Sequence, residues 1–202
     1  MSTPTALLTE RLLLRPPTND DSDALVAYHV RNREHLAAWE PLRPAEFFTS
    51  AWWAAEIDRL VAAAGSGTLV SLVLLDRAAS APPILGRCTL SNVVRGPFQA
   101  ANLGFSLDRD ATGQGLMREA LTAVIAFAFD ALELHRIMAN YMPRNLRSAR
   151  LLRRLGFVPE GFARDYLLIA GRWEDHVLTS LLNPASERMP TRAPGAVDAP
   201  DR

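Results

Sequence analysis

The run Ala101-Asn102-Leu103-Gly104-Phe105-Ser106-Leu107, followed by Thr112-Gly113-Gln114-Gly115-Leu116-Met117, decides how this chain is read. The first seven residues make an extended run leading into the glycines. Leu116 to Leu132 is almost wholly apolar, which suits a helix packed on a sheet. Strand, glycine turn and helix N-terminus in that order aim backbone N–H groups, and the positive end of the helix dipole, at an incoming anion. Gly113 and Gly115 let that anion come close to the backbone. Leu116-Met117 stand where a nucleotide-hydrolysing phosphate loop has Lys and Ser or Thr, so that reading is disfavoured. The dinucleotide fingerprint fails as well, for want of a third glycine at its spacing and an acidic residue ending the next strand. A pyrophosphate held without metal survives as the ligand. Taken alone, Gly113-Gln114-Gly115 is also readable as a mere tight connection.

Outward from the turn, the elements alternate in an informative order. Upstream, Leu12 to Arg15 is a strand stopped by Pro16-Pro17, and Thr18-Asn19-Asp20-Asp21 supplies capping groups for a helical region reaching about Trp39. Thr49 to Ala64 forms a second helix ended by Gly65, with Trp52, Trp53, Ile57, Leu60 and Val61 on its apolar face. Thr68 to Leu75 and Ile84 to Val94 read as a hairpin. Downstream, His135 to Tyr141 is a strand, and Asn145 opens a helix whose Leu146, Ala149, Leu152 and Leu155 recur every third residue before Gly156. Ala163 to Ile169 and Arg172 to Leu182 are two last strands around the turn pair Ala170-Gly171. The order β-α-α-β-β-β-α-β-α-β-β predicts a mixed α/β fold with a mainly antiparallel central sheet of about seven strands. A single domain is expected over residues 1–183, with the Pro- and Ala-rich segment 184–202 as a disordered tail.

Bulk properties exclude several classes. Among 202 residues, 22 Lys and Arg balance 22 Asp and Glu, so no global field draws the chain to DNA or an anionic membrane. The single cysteine, Cys88, gives no disulfide framework, and Cys88 with four scattered histidines offers no metal site. Cys88 reads as a core residue, and His29, His35, His135 and His176 as surface or sheet-edge residues. No basic segment followed by an apolar one opens the chain, and no long apolar run occurs, so a cytoplasmic protein is expected.

The sequence resembles the GCN5-related N-acetyltransferase (GNAT) superfamily from Leu12 to about Leu182. The resemblance rests on Gly113-Gln114-Gly115-Leu116-Met117 with Glu119-Ala120-Leu121, and on Asn145-Leu146-Arg147-Ser148 leading to Leu155-Gly156-Phe157. Within it, His135 to Pro143 and Asp165 to Ile169 resemble the RimJ/RimL-type ribosomal-protein-alanine acetyltransferases. The resemblance implies a splayed strand pair holding acetyl-CoA as cosubstrate, with no metal. It implies cofactor contacts at Phe105, Ser106, Leu107, Thr112, Gly113, Gln114, Gly115, Leu116, Met117, Asn145, Ser148 and Leu152. Asp110 stands where the family's motif has Gln or Arg, and Thr112 where Gln is common. Contact with the pyrophosphate is therefore expected mainly from backbone amides, with Arg109 and Arg118 as nearby charges.

Direct transfer needs a neutral amine, a stabilised oxyanion and a protonated leaving thiolate. Candidates for the acid are Ser148, Tyr141 and Tyr166. Asp165, Glu160 or a water relay are candidates for the base, and Asn145 orients cofactor or water. Trp39, Arg43, Phe47 and Phe48 fall in the part of the superfamily that forms the acceptor side, although core is the better reading for the aromatic residues. The implied partner is the N-terminal amine, an alanine for the RimJ type, of a ribosomal protein, free or on the ribosome. A small amine or antibiotic as acceptor, or a catalytically idle acyl-CoA sensor, are the rival functions. A monomer or homodimer is expected, without direct DNA or membrane binding.

Overall fold

A computed structural model describes residues 6–185. In chain order the elements are β1 (Leu7–Leu8), β2 (Leu12–Arg15), α1 (Ser22–Arg31), α2 (Arg33–Ala37), α3 (Ser50–Gly65), β3 (Val70–Asp76), β4 (Ile84–Val94), β5 (Ala100–Leu107), α4 (Leu116–Asp130), β6 (Arg136–Met138), α5 (Leu146–Arg154), β7 (Val158–Ile169) and β8 (Arg172–Leu182). Short 3₁₀ turns cover Asn19–Asp21, Ala45–Phe48 and Arg109–Ala111. The eight strands form one sheet in the order β1-β2-β3-β4-β5-β6-β8-β7, one strand more than the seven expected because the short β1 folds back on β2. Every pairing is antiparallel except β5 with β6, the pair joined through α4.

Each face of the sheet carries its own core, because successive strand residues point to opposite sides. Along β3, Leu72 and Leu74 face α4, where they join Leu12, Leu14, Cys88, Leu90 and Leu103 under Ala120, Leu121, Val124 and Phe127. Val73 and Leu75 face the other way and pack with Ile84 under Leu25, Tyr28, Phe47, Trp53 and Ile57 of the α1–α3 layer. A strand buried on both faces needs a continuous apolar run, which β3 has from Leu72 to Leu75. Fully burying one such leucine contributes roughly 1.5–3 kcal/mol. Thr49 starts α3 by accepting a hydrogen bond from the Trp52 amide at 3.3 Å.

Several boundaries differ from the sequence reading, each for a local reason. The first helical region breaks at Asn32, whose side chain is used in bonds to distant residues. Gly65 is the last helical residue of α3, and Gly67, at φ +72°, makes the left-handed step instead. The segment His135–Tyr141 pairs regularly only over Arg136–Met138, with an isolated bridge from Tyr141 to Val177. β7 begins at Val158 rather than Ala163 and accommodates Pro159 and Gly161 through a register shift. His29 and His176 are buried, contrary to the surface or edge roles expected of them. The expected tail lies, beyond Ala185, outside the described residues.

Candidate active site

β5 and β6 run side by side for only three residues each, Ala100–Asn102 against Arg136–Met138. Beyond Met138 the chain turns toward β8, since the Ala139 amide donates to Thr179 O and Tyr141 exchanges bonds with Val177. Leu103 to Leu107 therefore keep β4 on one side and border a gap on the other. Asp108 N donates to Leu85 O on the β4 side, whereas Gln99 O accepts from His135 and Arg136 on the β6 side. The alternation of an antiparallel pair then directs the backbone groups of Leu103, Phe105 and Leu107 into the gap and those of Asn102, Gly104 and Ser106 toward β4. The expected contact at Ser106 is thus corrected at its backbone, which β4 occupies. Its hydroxyl lies on the α1 face, accepting from Tyr28 Oη at 2.9 Å.

The two helices that follow the parallel strands start at the same end of the sheet, so the N-termini of α4 and α5 flank the mouth of the gap. This is the crevice beyond the carboxyl ends of parallel strands where α/β sheets take ligands. At the α4 side, Gly113 and Gly115 sit at φ +87° and +80°, a region costly for any residue with a Cβ. A Cβ at Gly113 would meet nothing within 4 Å. Conformation, not crowding, therefore requires glycine there. Among the described residues, no acceptor takes the N–H groups of Gly113 to Met117, and Gly115 offers no side-chain cap. The side chains of Leu116 and Met117 are buried in the core, with Met117 Sδ 3.9 Å from Cys88 Sγ, so only their backbone faces a ligand.

The turn is held from behind. Thr112 Oγ1 donates to Asp108 O, Gln114 Nε2 to Asp110 O, and Arg11 Nη1 to Gln114 O, at 2.9–3.0 Å. Arg11 is itself paired with Glu119 of α4, which also accepts from Thr9 Oγ1. Asp108 caps the 3₁₀ turn through the Asp110 amide and accepts from Arg31 and from buried Asn32. Burial pushes the Asp108 carboxyl up, but Asn32, the Asp110 amide and Arg31 together hold it below the usual range. Asp110 and Arg109 are exposed and face each other at 3.4 Å, so Arg109 adds little net charge to the turn. Arg118 is exposed and enters no ion pair among the described residues.

On the opposite wall, Asn145 caps α5, accepting from the Ser148 amide at 3.1 Å. That leaves Ser148 half-buried on the first turn of α5, its hydroxyl without a hydrogen-bond partner among the described residues. Leu152 is 1% exposed and belongs to the core, where it supports α5 from beneath and borders the cavity beside that helix. Tyr141 lines a cavity of about 400 Å³ between α5 and the start of β7, together with Leu146, Arg150 and Phe157. Tyr166 Oη accepts from Asn140 Nδ2 at 3.2 Å. Asp165 is exposed at φ +46° on the outermost strand, with β8 between it and β6. Glu160 is tied to Arg136 at 2.6 Å and to Ser180 Oγ at 2.7 Å, and these bonds hold its carboxyl below the usual range, poorly suited to a base.

Residues 11–158 match the family model described as an acetyltransferase (GNAT) domain. The chain belongs to the GNAT acetyltransferase family. It is 44% identical over 178 residues to the [ribosomal protein uS5]-alanine N-acetyltransferase of Escherichia coli, covering 88% of this chain and 91% of that protein. The ribosomal-protein-S5-alanine acetyltransferase of Vibrio fischeri superposes with a TM-score of 0.83 at 41% identity, covering 89% of this chain and 97% of that one. Mycobacterium smegmatis RimJ, solved in complex with CoA-disulfide, gives 0.80 at 28% identity, with 89% and 84% covered.

The GNAT domain has a second wall that the sequence did not announce. On the α1 face, Tyr28 and His29 are buried against Phe47 and Trp53, with the His29 ring stacked on Trp53 at 5.0 Å. Arg87 of β4 lies over the Trp53 ring at 4.8 Å, and its Nη1 is 3.5 Å from His29 Nε2. Burial, then the charges of Arg87 and Arg43, push the His29 pKa down to about 3, so it is neutral at physiological pH and a weak base. Arg43 covers the Phe47 ring, and Arg144 the Trp39 ring. Phe47 is core, as expected, while Arg43 is exposed and pairs with Glu40. Cys88 is buried, and burial raises its thiol to about 12, in keeping with a core role.

Proposed function

We propose that this chain transfers the acetyl group of acetyl-CoA to the α-amine of an N-terminal alanine on a ribosomal protein, in the cytoplasm. The observation that carries the cosubstrate is the parting of β5 from β6 at Asn102 and Met138, with unpaired amides and left-handed glycines at its mouth. The acceptor rests on the 44% identity to the E. coli uS5-alanine enzyme along nearly the whole of both chains. Among the described residues no helix is long and apolar enough to cross a membrane.

Acetyl-CoA supplies an acetyl group activated as a thioester. The amides of Gly113 to Met117 receive its pyrophosphate, helped by the α4 dipole. The free edge of Leu103, Phe105 and Leu107 pairs with the pantetheine amides, as a strand would. An N–H on that edge also donates to the thioester oxygen as negative charge develops there. Ser148, positioned by the Asn145 cap, donates a proton to the leaving thiolate, with Tyr141 behind it. An N-terminal amine titrates near ~8, so water suffices to take its proton. Tyr166 and Asp165 belong to the hairpin arm, whose Ala170 amide bonds Glu40 O, and they contribute to seating the acceptor.

The test is direct. The purified protein, acetyl-CoA and peptides beginning with Ala, Ser or Thr are compared with polyamines, amino acids and aminoglycosides. The alanine peptide is expected to be the best acceptor. Turnover confined to small amines would remove the protein substrate, and CoA binding without any turnover would make the chain a sensor.

A further inference from the structure

Among the described residues, Arg87 enters no ion pair. It projects from the middle of β4 on the same face as its cross-strand partner Ser106, one strand away from the gap. Its Nε is sealed from solvent with no hydrogen-bond partner, and Nη1 has only neutral His29 at 3.5 Å. Nη2 has no partner among the described residues and is not among the sealed atoms, so the guanidinium opens outward at that nitrogen. Glu40 and Glu56 are close enough to act on its charge, yet each is in an ion pair with another arginine, Arg43 at 3.3 Å and Arg59 at 2.6 Å. Burial pulls the Arg87 pKa below the usual arginine range, and the group remains charged.

An enclosed charge lacking a counter-ion is costly, by several kcal/mol before compensation. Stacking on Trp53 recovers part of this. A purely structural role is better served by an apolar side chain beside Trp53 and His29. The surroundings say what would complete the site. Tyr28, bonded to Ser106, lies on the same face of the sheet, one strand from the gap, and Glu40 is close enough to act on the charge of both Tyr28 and Arg87. Glu40 draws the ammonium end of an acceptor, and Arg87 the opposite charge.

Resting on the acceptor reading above, we propose that Arg87 is a specificity-determining residue that binds a carboxylate of the acceptor, the side chain of an Asp or Glu a few residues behind the acetylated N-terminus. A carboxylate matches the guanidinium in charge and takes up donors that a single peptide carbonyl leaves idle.

The probes are peptides beginning with Ala, each carrying one Glu at position two, three, four or five, with the matching Gln peptides. The wild-type protein is expected to favour one Glu peptide over its Gln partner by about tenfold to a hundredfold in kcat/KM, the range of a hydrogen bond to a charged group. That preference should shrink as salt is raised. Arg87→Gln should collapse the ratio toward one, and Arg87→Lys, which keeps the charge but loses the planar fork stacked on Trp53, should keep only part of it. A structural role would lower both peptides of a pair together and leave the ratio standing. Equal turnover of Glu and Gln peptides by the wild type at every position overturns the proposal and leaves the acceptor reading intact. If no peptide is acetylated while small amines are, the acceptor reading falls and the proposal with it.

Discussion

Replacing Asn32 by alanine removes three hydrogen bonds, two of which tie the end of α1 to the segment that leads into the glycine turn. Asn32 Nδ2 donates to Tyr28 O at 2.9 Å and to Asp108 Oδ2 at 3.0 Å, and Oδ1 accepts from the Arg109 amide at 2.9 Å. The residue is 1% exposed, so water cannot take over these bonds without opening the site. Two neutral bonds contribute about 1 kcal/mol each and the one to a carboxylate about 1.5–3 kcal/mol. Asp108 retains Arg31, which moderates the loss, so roughly 3 kcal/mol is expected. For a chain of this size that lowers Tm by roughly 6–12 °C. The damage is local as well as global, since Asp108 caps the turn that sets the direction of Gly113 to Met117. Affinity for CoA should fall by about tenfold, a change of roughly 1.4 kcal/mol. Asn32→Asp should be no better, because it trades the Nδ2 donor for a second carboxylate beside Asp108. Thermal denaturation with and without CoA, and a calorimetric titration at a temperature where both proteins are folded, read the two effects. A variant with Tm within about 2 °C of wild type and unchanged CoA affinity would refute the tether.

Other expectations follow from the same geometry. Gly113→Ala and Gly115→Ala should each weaken CoA binding by about five- to thirtyfold in calorimetry, from roughly 1–2 kcal/mol of left-handed strain at φ +87° and +80°; unchanged affinity would mean the turn holds no pyrophosphate. Ser148→Ala should lower kcat by about a hundredfold or more while the Michaelis constant for the acceptor changes little, as for loss of a general acid; full activity in steady-state assays would move that role to Tyr141. His29 titrates near 6.5 when unfolded but near about 3 when folded, so the unfolded state binds the extra proton between those values and stability falls as pH drops through that window. The loss from this one group reaches roughly 2 kcal/mol at pH 5, so His29→Gln should show a flatter dependence of Tm on pH from 6.5 to 4.5 than the wild type. A parallel dependence would place the acid sensitivity elsewhere.

Legibility in the sequence followed the range of the forces involved. The glycine turn, α4, and α5 between Asn145 and Gly156 were readable because caps and helix periodicity are local signals. The Ala170-Gly171 hairpin was readable for the same reason, both residues having positive φ. The break at Asn32 was not, because its cause is Asp108 and Arg109, far along the chain. Glu119 was legible as part of the glycine-turn motif, but not as the anchor of Thr9 and Arg11 in the turn between β1 and β2. Leu152 fell on a motif helix and was assigned to the cofactor; that it also joins the core on the inner face of α5 depends on partners far along the chain. Arg87 and His29 gave no signal at all, since a lone arginine in a strand and a histidine in a helix acquire meaning only when the sheet sets one beneath the other.

The most direct measurement is the position of the acetyl group on an intact protein acceptor. Small ribosomal subunit proteins are incubated with the purified protein and acetyl-CoA, and the product is fragmented in a mass spectrometer. A single acetyl group on an N-terminal alanine amine is the result expected from the proposed function, which rests on the likeness to the uS5-alanine enzyme. An acetyl group on lysine side chains, or none on any protein while small amines are acetylated, would contradict it.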